Sequence, residues 1–138
     1  MVRLALKNEI MDSFEKILAM TKEKDPSISL LSQEIDEFEK EVNRRKSSLT
    51  ANWLATASQL ISEARSFIKI LENHEDMPNK IYLKAAIRYL VETDDVLSDF
   101  DSEEGLKDDA FLFFEIMHEL NIKQLVNRYH KYNFKLSS

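Results

Sequence analysis

Nine carboxylates stand between Glu92 and Asp109, against a single base, Lys107. That window carries −8 where the whole chain carries −6, so the remaining residues sum to +2. Clustered carboxylates raise the cost of ionising one another unless something positive sits among them. A divalent ion, Mg²⁺ or Ca²⁺, is one such partner, and Asp95, Asp99, Asp108 and Asp109 are the oxygen ligands that would hold it. A solvated acidic corner is the other reading, with Asp108 and Asp109 at the positive end of a helix dipole. In that case the corner is a contact surface for bases. Asp101, Glu103 and Glu104 are its acidic candidates, and Lys123, Arg128 and Lys131 of the C-terminal stretch are the basic ones. An EF-hand is excluded: Asp99, Asp101 and Glu103 fit ligand positions one, three and five, but Glu104 replaces the turn glycine and Ala110 the bidentate Glu.

Two further constellations are incomplete. Glu115 and His118 have the Glu-x-x-His spacing of a di-iron bundle, but such sites need two pairs, and neither His74 nor His130 has a Glu three residues earlier. Asn127 to Lys135 alternates bases with aromatics, as single-strand nucleic-acid surfaces do. The sequence pI of about 5.1 argues against that partner, because phosphate contacts need a net basic face. There is no cysteine, which excludes thiolate catalysis, disulfides and Cys-ligated metal. Without a nucleophile, second histidine or glycine loop beside the carboxylates, enzymatic chemistry is not expected.

The elements that position these residues are helical. One Gly and two Pro in 138 residues are too few for a β-rich chain. At that length one domain with one core is expected. Leu6, Ile10, Phe14, Ile17 and Leu18 predict a helix over about 3–23. Asp25-Pro26 ends it, and Pro26 can open the next. Leu31, Ile35, Phe38 and Val42 then give a narrow seam on a helix over about 27–47, too short for a stable coiled coil. Ser47-Ser48 breaks that run, and Thr50 caps a third helix of about 51–73 in which Trp53 is a core anchor. Pro78 suits the first position of a fourth helix ending near 92. In the fifth helix, Leu106, Ala110, Phe113, Met117 and Leu120 form a stripe that Phe111, Phe114 and Ile116 widen. Little of it should face water, which would make it the central helix. Its start falls either at Ser102, leaving Gly105 inside, or at Asp108-Asp109. A short last helix begins after Asn121.

Against this background residues 85–120 resemble the YkvA-like family, a bacterial domain of unknown function. Tyr89, Asp95, Asp99, Phe100, Gly105, Asp108 and Asp109 match its signature without a gap. Thr93 and Ser98 stand where the signature has prolines, and Asp94, Asp101, Glu103 and Glu104 replace residues that are usually apolar or small. The resemblance implies a compact helical fold and no mechanism. Its stiff apolar corner is polar in this chain.

The sequence therefore predicts an all-α, single-domain bundle of five or six helices, acting as a non-enzymatic interaction or regulatory module. No apolar run reaches the roughly 18–20 residues of a membrane span, and Glu9 and Asp12 interrupt any signal-peptide core. A soluble, cytoplasmic protein, monomeric or weakly dimeric, with an unidentified protein partner, is the expectation.

Overall fold

The computed structural model describes residues 2–92 and 105–133, of which 105 and 131–133 are described by their backbone alone. Six α-helices appear among them: α1 (Asn8–Lys24), α2 (Ile28–Arg44), α3 (Ala51–Asn73), α4 (Lys80–Val91), α5 (Gly105–Glu119) and α6 (Lys123–Asn133). A single 3₁₀ turn, Lys46–Ser48, links α2 to α3, and no strand occurs among the described residues.

Local chemistry sets several of the helix ends. The first N–H groups of a helix have no partner inside it, and a Ser or Thr oxygen just before it can accept from one. Thr50 does this for α3, accepting from Trp53 N at 3.1 Å, and Ser27 does it for α2, accepting from Leu30 N at 3.0 Å. Pro26 therefore lies before the cap of α2 rather than within its first turn. At the end of α1, Asp25 turns left-handed (φ 41°), and its N–H bonds back to Thr21 O at 2.7 Å.

Three expectations are corrected. The first helix starts at Asn8, because residues 2–7 run along the core instead. Leu4 and Leu6 are half-buried there, and Ala5 N–H donates to Glu115 Oε2 at 3.2 Å. Pro78 is not the first residue of α4. Asn79 follows it at φ 63°, a left-handed geometry that asparagine tolerates better than most residues, and the helix begins only after it. The third correction concerns the centre of the bundle.

That centre is α3 with α4, not α5. The third helix packs against α2, α4, α5 and α6, while α4 packs against α1, α2, α3 and α5. Eleven residues of α3 are buried, from Trp53 to Leu71. The fifth helix contributes Leu106, Leu112, Phe113, Ile116 and Met117 to the core, and Phe113 stacks on Phe67 of α3 at 5.1 Å. Ala110 is half-buried against the same core, whereas Phe111 and Phe114 fall on the outer arc of the helix, where no other helix among the described residues covers them. The α2 seam of Leu31, Ile35, Phe38 and Val42 is fully covered by α3 and α4 of the same chain.

Ion pairs fasten the periphery. Arg65 of α3 reaches Asp36 (3.1 Å) and Glu39 (2.7 Å) of α2, and Arg88 of α4 pairs with Glu34. Lys84 of α4 binds both Asp25 Oδ1 (2.8 Å) and Pro26 O (2.7 Å), tying the α1–α2 connection to α4. Lys84 also holds the Asp25 carboxyl below its ordinary value. No helix among the described residues is long and apolar enough to cross a membrane.

Candidate functional site

Helical geometry separates Asp108 from Asp109. Neighbours in an α-helix project about 100° apart, so Asp108 in the first turn of α5 is exposed while Asp109 is 2% exposed, facing the bundle. Both lie inside the helix, which has begun by Gly105, so an opening at Asp108-Asp109 does not occur. Asp95, Asp99, Asp101, Glu103 and Glu104 lie outside the described residues, as do Ser102 and the signature's Phe100. Among the described residues no three His, Asp or Glu side chains are grouped to hold a metal ion.

The basic candidates all fall on α6. Lys123 and Arg128 are exposed, and Lys131 belongs to the helix by its backbone. This helix lies mainly along α3, burying Ile122 before it and Val126 within it. Where the chain runs beyond Asn133 is outside the described residues.

One side of α5 is the most unusual surface. Phe111 and Phe114 are 57% and 52% exposed, and the steps from 111 to 114 to 118 place His118 on their face. The Phe114 and His118 rings are parallel to within 2°, with centroids 6.4 Å apart. Lys107, one turn before Phe111, heads the same stripe, and Asp108, Glu115 and Glu119 border it on one flank. Isolated exposed apolar residues are ordinary, but two phenylalanines side by side on one helix face are what a protein contact uses. Periodicity singled out the same residues and assigned them to the core. Counting apolar positions overestimates burial when the bundle covers only one side.

The α3–α6 interface holds a polar interlock that sequence reasoning missed. His130 Nδ1 and Ser62 Oγ are 2.5 Å apart, and His74 Nε2 and Tyr129 OH are 3.0 Å apart, with the latter rings edge to face. Ser66 Oγ donates to Ser62 O at 3.1 Å. Beside them burial pushes the Glu63 carboxyl above its ordinary value, against the hydrogen bond from Gln59 and the charge of His130. A Ser–His pair is the start of a nucleophile-and-base arrangement. Ser62 sits in mid-helix, however, where the backbone N–H groups are committed to helix carbonyls and supply no oxyanion donors. Its chemistry is that of a clamp. Ser62 and Ser66, four apart on the buried face of an apolar helix, were the available signal.

The chain matches no family model, no curated protein and no solved structure.

Proposed function

We propose that this is a cytoplasmic, non-enzymatic interaction module, and that the Phe111–Phe114–His118 face of α5 receives its protein partner. The exposed, adjacent aromatics carry this reading, since α5 buries its other side in the bundle and keeps this one open. Charge defines the partner: the face is bordered by Asp108, Glu115 and Glu119, and residues 92–104, just before α5 in sequence, carry seven carboxylates and no Lys or Arg. The complementary surface is an apolar segment flanked by Lys or Arg. Electrostatic complementarity of this kind chooses partners and speeds encounter more than it adds affinity. The likeness of residues 85–120 to the YkvA-like signature agrees with a compact helical module.

The experiment compares proteins retained from host extract by the native chain and by a Phe111→Ser/Phe114→Ser double variant with an unchanged melting curve. The partner is then identified and its binding re-measured with purified components. Loss of about 2 kcal/mol or more is expected for central aromatic contacts. If the two chains retain the same proteins equally, the face is not the contact.

The same reading makes the protein a monomer or weak homodimer, because the Leu31–Val42 seam is already filled from within the chain. Light scattering across a concentration series checks this. A tight dimer would require a different surface.

A further inference from the structure

The described residues have four exposed large apolar side chains, and two of them, Met20 (49%) and Leu30 (44%), lie far in sequence from the α5 face. They help to line a cavity of 260 Å³ where the end of α1, the start of α2 and the end of α4 meet. Ile17 and Pro26 complete an apolar wall. Thr21 adds no open donor to it, because its hydroxyl is spent on Ile17 O at 2.6 Å.

Charge enters this cavity from Lys24, Arg88 and Glu92. Among the described residues Lys24 has no ion-pair partner. Arg88 engages Glu34 through Nη1 only, and a guanidinium carries five N–H donors, so most of its hydrogen-bonding capacity is open to a second anion. Glu34 answers the charge of Arg88 from outside the lining, so the capacity for an anion lies in Lys24 and in the open N–H groups of Arg88, around a wall of hydrocarbon. Such a combination suits a molecule with an apolar tail and an anionic head. The volume restricts its size: pockets for drug-sized ligands begin at about 300 Å³, so the tail is short, about eight carbons.

We propose that this cavity binds a small amphipathic carboxylate, its head held by Lys24 and Arg88 and its tail lying on Ile17, Met20, Pro26 and Leu30. The site is separate from the α5 face and does not depend on that face having a partner.

Calorimetric titration of the full chain with linear carboxylates from butanoate to dodecanoate, each below its micelle concentration, tests this directly. Affinity should rise about fourfold per methylene while the tail is being buried, then level off near octanoate or decanoate. Octan-1-ol, with the same tail and no charge, should bind about tenfold more weakly or worse. Lys24→Gln, at an exposed position, should leave the melting curve unchanged and cost octanoate about tenfold in affinity. Arg88→Lys keeps the positive charge and should retain most of the binding, whereas Glu92→Gln should tighten it by removing the opposing carboxylate. Equal affinity for octanoate and octan-1-ol would overturn the proposal. So would an increment that continues unbroken to dodecanoate, which is partitioning rather than a bounded site, or the absence of saturable octanoate binding.

Discussion

At Glu63 burial and charge work against each other. Desolvation raises its carboxyl above the ordinary value, and the Gln59 hydrogen bond and the charge of His130 only partly offset this. A group whose folded value is raised contributes most stability below its unfolded value, near pH 4, and that contribution is lost as pH rises through the folded value. At pH 7 the ionised Glu63 is therefore a liability. Glu63→Gln should melt at a higher temperature than the native chain at pH 7, and the difference should vanish near pH 4. Melting curves across that interval check it; a variant less stable at pH 7 would mean that the attraction of His130 outweighs the burial. Asp25 has the opposite sign. Lys84 lowers its folded value, so what Asp25 contributes is present above the unfolded value and is lost as pH falls through the folded one. Neither effect was legible in the sequence, because Lys84 is 59 positions from Asp25 and His130 is 68 from the Ser62 it meets.

At the scale of the element, α5 has two faces that substitutions should distinguish. Phe113 is fully buried and stacked on Phe67, so Phe113→Ala should cost about 2–5 kcal/mol, as large-to-small core changes do. Phe111→Ser, on the open side, should stay within about 0.5 kcal/mol. Urea unfolding of both variants provides the comparison, and similar losses would mean that the exposed face is packed in solution. The apolar stripe of this helix was readable at Leu106, Ala110, Phe113 and Met117, all buried or half-buried. What the pattern lacked was the number of neighbours, since a stripe records which side is apolar and not how much of it another helix reaches. Where one local interaction decides, the sequence was sufficient. The cap at Thr50 rests on a hydroxyl and an N–H three residues on, and the α3 boundaries, 51 to 73, are those expected; the same arrangement at Ser27 is overshadowed by Pro26 beside it, which reads as the opening of α2. Pro78 failed because Asn79 took a left-handed conformation that no neighbouring residue announces.

For the whole molecule the open matter is charge. The four-carboxylate divalent site of Asp95, Asp99, Asp108 and Asp109 rests partly outside the described residues, and the two members within them turn apart on α5. A ligand bound only by the folded state stabilises it by about 2.7 kcal/mol at a hundred times Kd. We expect no such gain. At equal ionic strength the melting temperature should be the same in Mg²⁺, Ca²⁺ and Na⁺. A rise of several degrees specific to a divalent ion, blunted in Asp99→Asn, would instead establish the metal site. The −8 of the 92–109 window was plain from composition, but which bases or ions answer it depends on distances that composition does not contain.

The first helix packs against α4, and α2 is not among its main neighbours. On the ribosome this imposes an order of events. When α1 emerges, Ile10 and Phe14 have no surface to cover them, and none forms until residues 25–91 have followed. At about 5–20 residues per second that is an interval of several seconds. Throughout it a helix with an apolar stripe stands uncovered, so the growing chain stays adhesive until its fourth helix is made. A chaperone that binds short apolar helices would find its target in residues 8–24, and only while synthesis is under way.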